Sequence, residues 1–310
     1  MTSAALPAGA PQTVRPRRRK PRHGGLIAWT FALPALAVYV TFLVYPALQS
    51  LWFSLTNWDG LSATYDFVGL DNYASLADDP VVGQALLNNA IWTVVTIVVP
   101  VLIGLLLAIA LNGNVRGKPV LRLIFYTPAV MPLVAVASIW GWLYSPEYGA
   151  INAFLRLIGL DALAQPWLGQ DSTALGAVMI PAIWLRVGFP MLLYLAALQG
   201  INTDMYEAAT VDGATRWQQF WFITMPSLRP AHYIVIALSL IDSFKVFDLI
   251  YAMTYGGPGT ATQVMGTWMY FNVFQYYQAG YGTAIAVVIT LIAIAVSIPY
   301  VRSQAKEHAA

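Results

Sequence analysis

Hydrophobic positions in this chain fall in long unbroken runs, with polar residues confined to the segments between them. Six such runs stand out, at roughly 26–48, 88–111, 121–144, 173–198, 231–252 and 282–301. A bilayer's hydrocarbon core takes about 20 apolar residues in a helix, so each run predicts one transmembrane helix. Barrel strands would instead alternate apolar and polar positions over short segments. Pro34, Pro100, Pro128, Pro132, Pro181 and Pro190 lie inside the runs, which is tolerated where neighbouring helices satisfy the freed backbone groups. The pattern predicts an all-α membrane protein of six spans with both termini on one side. Residues 1–25 are polar, Pro-rich and aperiodic, and are expected to be a disordered tail. The spans and their connections fill 26–302, and 303–310 form a short second tail.

Composition sharpens this picture. Charged residues make up 10% of the 310 positions and hydrophobic ones 58%, with mean hydropathy +0.63; soluble domains carry about 25% charge. A pair of soluble domains is excluded. Cysteine is absent, which removes disulfides, thiolate metal sites and cysteine nucleophiles.

The few charges are unevenly distributed. Arg15, Arg17, Arg18, Arg19, Lys20 and Arg22 precede the first span, Arg116, Lys118 and Arg122 follow the second, Arg216 and Arg229 follow the fourth, and Arg302 and Lys306 follow the sixth. Thirteen of the sixteen basic residues thus share one face, which the positive-inside rule makes cytoplasmic. The opposite loops carry only Arg156 as a base, with eight of the fourteen acids: Asp59, Asp66, Asp71, Asp78, Asp79, Glu147, Asp161 and Asp171. A cleavable signal is a competing reading of the N-terminus, but its apolar run continues through Tyr39, Phe42 and Tyr45, longer than a signal core requires. A nucleic-acid patch at Arg15–Arg22 is less economical than a topological signal beside a span, so no nucleic-acid partner is expected.

The connection 199–230 carries structure of its own. Asp204 followed by Glu207 reads as a capping box, Ala208 and Ala209 as helix, and Gly213 as a left-handed stop. Thr215 with Gln218 opens a second box leading into Trp217, Phe220, Trp221 and Ile223, and Pro226 and Pro230 are expected to end that helix and begin the next span. Glu207-Ala208-Ala209, then Gly213, then Ile223 and Met225-Pro226 resembles the EAA loop of ABC-importer permease subunits, with Met225 where Leu is usual. Gln199-Gly200-Ile201, Ile223–Pro230, Phe67–Tyr73 and Phe244–Asp248 are similar to the carbohydrate-uptake, maltose-type branch. The resemblance covers about 30–300.

That resemblance implies a type I ABC importer permease fold and a set of partners: a cytoplasmic ABC ATPase dimer, a second homologous permease, an extracytoplasmic substrate-binding protein and the bilayer. It assigns ATPase coupling to Glu207, Ala208, Ala209, Asp212, Gly213, Ile223 and Pro226. The chain has no G-x-x-x-x-G-K-[ST] phosphate loop, so it is expected to bind no cofactor itself and not to be an enzyme, ATP and Mg being used by the partner ATPase. On residue chemistry alone Glu207 could dock on a basic group or complete its own capping box.

Ionisable groups within spans are costly and are functional candidates by default. Here they are Arg186, Asp242, Lys245 and Asp248, the last three at a three-residue spacing that predicts one helical face and partial mutual neutralisation. A structural ion pair and a polar lining of the substrate route are both open. Asn272, Gln275 and Tyr276 join the candidate route from the 253–281 connection, whose amides and rings suit sugar hydroxyls and C–H faces; an interfacial aromatic belt explains the rings equally. A self-powered secondary transporter and an intramembrane enzyme are the rival classes. The first lacks convincing internal repeats. The second lacks any catalytic motif among dispersed His23, His232 and His308.

Overall fold

The computed structural model describes residues 24–307; the basic cluster at 15–22 and most of the expected 1–25 tail lie outside them, as do 308–310. Helices dominate, and among the described residues there is no strand beyond an isolated antiparallel bridge between Thr56 and Phe67. The chain divides between Gln49 and Ser50. The first unit is helical from Gly24, and this helix, α1 (24–53), widens into a π turn over Val40–Val44.

The second unit is built around α3 (Pro80–Asn112), which follows the short α2 (Asp71–Asp78). Asp79 caps α3 by accepting from the Val81 N–H at 2.8 Å, and Pro80 occupies the first turn, where its missing donor costs nothing. The helix therefore begins eight residues before the apolar run at 88. Three buried clusters follow along its length. Val82 and Ala85 pack with Leu76, Met265 and Ile285; Trp92 packs with Val136, Val178 and Ile250; Leu105, Ala108 and Leu111 pack with Met191, Tyr194, Leu228 and Val235. In the last cluster Met191 and Tyr194 come from α7 (Asp171–Gln199). At Gly104 an added Cβ would lie 2.7 Å from Pro190 Cβ and 2.8 Å from the Met191 nitrogen, so the two backbones approach as small residues permit in membrane bundles.

Among the described residues four helices are long and apolar enough to cross a membrane: Trp29–Phe53 within α1, α3, α7, and Ala279–Tyr300 within α13 (Ala279–Glu307). The other two expected spans are interrupted. The run at 121–144 forms two helices, α4 (Lys118–Val130, its last turn 3-10) and α5 (Leu133–Leu143), bent by 101°. Met131 precedes Pro132 and is extended at φ −77°, ψ 140°, the conformation that proline imposes on its predecessor. The run at 231–252 splits into α10 (Arg229–Ser243) and α11 (Asp248–Thr254). Between them α6 (Ala150–Leu157), α8 (Thr203–Val211) and α9 (216–227) complete the order up to α11, and α12 (Met265–Phe274) follows.

Candidate functional site

The loop between α7 and α10 is a helical hairpin. Asn202, and not Asp204, is the N-cap of α8: its Oδ1 accepts from the Asp204 N–H at 3.0 Å. Asp204 therefore sits inside the first turn, and the expected Asp204–Glu207 box does not form. Glu207 is an exposed side chain with no capping duty. At the other end Gly213 adopts φ +80°, the Ala214 N–H reaches the Ala209 carbonyl at 2.9 Å and the Gly213 N–H the Thr210 carbonyl at 3.1 Å. This pair of bonds is a Schellman stop, and its left-handed residue favours glycine.

Thr215 and Gln218 form the expected reciprocal box at the start of α9. The helix does not end at Pro226. A π turn over Phe220–Thr224 precedes it, with the Met225 N–H bonded to the Phe220 carbonyl, and Pro226 and Pro230 both fall in first turns. A proline ring collides with the carbonyl four residues back, and one wide turn relieves that crowding. The same arrangement precedes Pro46 in α1, where the Tyr45 N–H bonds the Val40 carbonyl. As a result α9 leads into α10 with only Leu228 between them.

Side chains lock the two arms together. The Tyr206 hydroxyl lies 2.9 Å from Thr224 Oγ1, and Gln219 Nε2 donates to Thr210 Oγ1 at 2.9 Å. A groove of about 300 Å³ between the arms is lined by Ala209, Asp212, Gly213, Ala214, Phe222 and Ile223. Glu207 and Ala208 lie exposed on α8 beside Val211, which is 88% exposed; Trp217 and Phe222 are 69% and 78% exposed on α9. Of the expected coupling residues Ala209 and Ile223 are half-buried, while Glu207, Ala208, Asp212, Gly213 and Pro226 are exposed. Val211 and Phe222 are not among the expected site residues; their signal is a large apolar side chain left exposed on the hairpin. Beneath the hairpin a second cavity of about 320 Å³ touches Ile109 and Asn112 of α3 and Tyr206, Phe220 and Thr224 of the hairpin. The hairpin thus stands on the end of the central helix.

The span charges are arranged differently from the three-residue face the sequence suggests. Helix α10 stops at Ser243, and residues 244–247 are irregular before Asp248 opens α11, so Asp242, Lys245 and Asp248 do not lie along one helix. Asp242 pairs with Arg186 of α7, whose Nη2 and Nε reach Asp242 Oδ2 at 2.7 and 2.9 Å. This is the only ion pair among the described residues. The guanidinium carbon sits 6.0 Å from the centroid of the buried Trp92 ring, within cation–π range. Lys245 lines a cavity of about 530 Å³ with Ile241, Phe244, Ile289 and Ile298. Asp242, Lys245 and Asp248 are all exposed.

The remaining candidates are tied into the outer connections. Asn272 is buried and donates to the Trp268 carbonyl at 2.8 Å; Gln275 donates to the Tyr255 hydroxyl; Tyr276 meets Trp268 edge-on at 5.9 Å. The Phe67–Tyr73 motif is a clamp. Asn72 Nδ2 donates to the Ser54 and Thr56 carbonyls, and the Tyr73 hydroxyl lies 2.7 Å from Ser54 Oγ.

A bundle of apolar helices about a central span, with a cross-braced hairpin at its end, defines a multi-pass membrane protein. Residues 100–305 match the family described as the binding-protein-dependent transport system inner membrane component, and the chain belongs to that family. It is 38% identical over 275 residues, 88% of this chain and 94% of the other, to the probable ABC transporter permease protein YurN of Bacillus subtilis. It is 33% identical over 278 residues, 90% of this chain and 95% of the other, to the multiple sugar-binding transport system permease protein MsmF of Streptococcus mutans. Its fold also matches, at TM-score 0.78 and 25% identity over 89% of this chain and 92% of the other, a bacterial alginate ABC transporter solved with an alginate pentasaccharide-bound periplasmic protein. The chain is a transport permease with the type I ABC permease fold, and not an enzyme. The self-powered carrier and the intramembrane enzyme both give way to it.

Proposed function

We propose that this permease imports a sugar or oligosaccharide through the cytoplasmic membrane, with the 203–227 hairpin receiving the stroke of a partner ATPase. The observation that carries the reading is the hairpin itself: Glu207 is released from capping, the docking arm is rigidly cross-braced, and its second arm continues into α10. An exposed carboxylate beside small and apolar residues suits a groove on an ATPase with a basic group at its edge. The arms' mutual hydrogen bonds make the hairpin a lever, since a flexible loop would absorb the displacement it is meant to transmit. One permease supplies one such hairpin, so an ATPase dimer calls for a second, homologous permease. ATP and Mg belong to that dimer.

In the same reading there are six spans, the bent α4–α5 pair and the broken α10–α11 pair supplying the two that are not continuous. Both termini and the hairpin face the cytoplasm, following Arg116, Lys118, Arg122, Arg216 and Arg229. Substrate arrives on an extracytoplasmic binding protein. The saccharide class is supported by the similarity to the sugar-transport permease of Streptococcus mutans and by carboxylates and aromatic rings with solvent exposure along α10–α12. Arg186, Asp242, Lys245 and Asp248 mark the route at mid-span, with Asn272, Gln275 and Tyr276 near its outer end.

The test is to purify the tagged permease from its native membrane, identify the co-purifying subunits, and screen the cognate binding protein against saccharides. The expected result is an ATPase and a second permease in the complex, and ATP hydrolysis stimulated by the sugar-loaded binding protein. A complex without an ATPase removes the coupling role. A binding protein that retains only non-saccharide solutes removes the sugar.

A further inference from the structure

Resting on the saccharide reading above, we infer that Phe247, Tyr251, Tyr255, Tyr270 and Phe274 form a stacking ladder along which the pyranose rings of a neutral oligosaccharide pass between the outer mouth and the span charges. The rings are in continuous contact. Phe247 stacks on Tyr251 with centroids 5.1 Å apart and planes at 18°; Tyr251 meets Tyr255 at 4.9 Å and Tyr270 at 5.1 Å; Tyr270 meets Phe274 at 5.1 Å. The lower end lies at the break between α10 and α11, next to Asp248. The upper end lies at the turn after α11, where Tyr255 has φ +54° and its hydroxyl accepts from the Gln275 amide. At 1.5 Å per helical residue the eight steps from Phe247 to Tyr255 extend over about 12 Å, a path for a short chain of sugar rings.

Two readings compete for such rings: a belt at the lipid interface, and a polar route. The charges decide between them. On α11, Asp248, Tyr251 and Ala252 fall at i, i+3 and i+4, one face of a helix, Tyr255 follows in the turn beyond it, and every one of them has solvent exposure. A carboxylate within a span does not face hydrocarbon, so the face that carries Asp248 meets water or protein, and the rings on it do too. Asp242 and Lys245, immediately below, are exposed as well. Rings that accept C–H faces and hydroxyls that hydrogen-bond, spaced without a deep pocket, hold a sugar weakly at each step. Translocation requires this, because a tight site would retain the cargo.

The chain's lack of cysteine makes the test direct. Single substitutions Tyr251→Cys, Tyr270→Cys and, as the lipid-facing control, Leu106→Cys, which replaces a side chain 66% exposed on α3, are introduced into the assembled importer in proteoliposomes. Each is treated with the membrane-impermeant cation MTSET. The ladder predicts modification at 251 and 270 at least tenfold faster than at 106. Rates at 251 and 270 as slow as at 106 place the rings in lipid and overturn it. In parallel, uptake of the saccharide retained by the binding protein is compared for Tyr251→Phe and Tyr251→Ala. The ladder predicts that Phe keeps at least half the rate, that Ala loses about tenfold, and that ATP hydrolysis stimulated by the loaded binding protein stays within twofold in both. Equal uptake by the Ala variant and the unsubstituted permease overturns the ladder. A binding protein that carries no saccharide overturns the substrate reading, a result distinguishable from failure of the ladder because the labelling rates do not depend on the cargo.

Discussion

The hairpin at 203–227 and the segment 229–254 are consecutive in the chain, yet they are held in opposite ways. The hairpin is fixed from within: caps spanning a few residues, Asn202 on Asp204, Thr215 on Gln218 and the Schellman pair around Gly213, and the Tyr206–Thr224 and Gln219–Thr210 bonds between its own arms. The segment after it is fixed from a distance. Its break at 244–247 is shaped by α12, where an added Cβ at Gly266 would lie 2.7 Å from the Val246 carbonyl oxygen, and its one ion pair reaches back 56 residues to Arg186. A locally braced element can move as a body without losing its shape. An element held by several neighbours changes only when they do. The coupling proposed above calls for this division, between a part that receives a stroke and a part that opens and closes around cargo.

Substitutions at the two places break the comparison differently. The largest effect is expected at Gly266→Val, which drives a side chain into the Val246 carbonyl. Overpacking costs about 1–3 kcal/mol or more, and the thermal midpoint and yield of the purified complex should both fall. Next is Arg186→Met, which strands the Asp242 carboxylate. With the Asp242 side chain 56% exposed, the stability cost is about 1 kcal/mol or less, whereas uptake should fall about tenfold if the pair organises the route. Adding Asp242→Asn to Arg186→Met should recover part of that loss, and a double variant no better than the single one would separate the pair from transport. The smallest effects are expected in the hairpin caps. Asn202→Ala and Thr215→Ala each remove one cap worth about 1 kcal/mol, leaving assembly intact and lowering stimulated ATP hydrolysis by a few fold. A loss of complex yield in either cap variant would mean that the hairpin is not the locally braced unit described.

The same contrast explains what could be read from the residues beforehand. The caps at Thr215 and Gly213 are legible because each is decided within about five residues. The sequence points to an N-cap two residues late, at Asp204, because Asn202 and Asp204 are both good caps and only the backbone conformation chooses between them. The break in 231–252 carries no local signal. The run has no proline or glycine between Ala231 and Ala252, and the helix stops where the close approach of α12 and the Arg186 pairing favour it. The bend in 121–144 did announce itself, through Pro128 and Pro132, but prolines are so widely tolerated in spans that they did not by themselves indicate a 101° turn. The ring ladder was visible only as composition; its continuity needed α11 and α12 side by side.

The coupling role of the hairpin rests most heavily on Glu207, exposed on α8 and free of any capping bond. The decisive measurement is ATP hydrolysis by the assembled complex, with and without loaded binding protein, in the Glu207→Ala variant. The proposed coupling predicts normal membrane insertion and complex yield, unchanged basal hydrolysis, and stimulation reduced at least tenfold. Stimulation equal to that of the unsubstituted complex would contradict it.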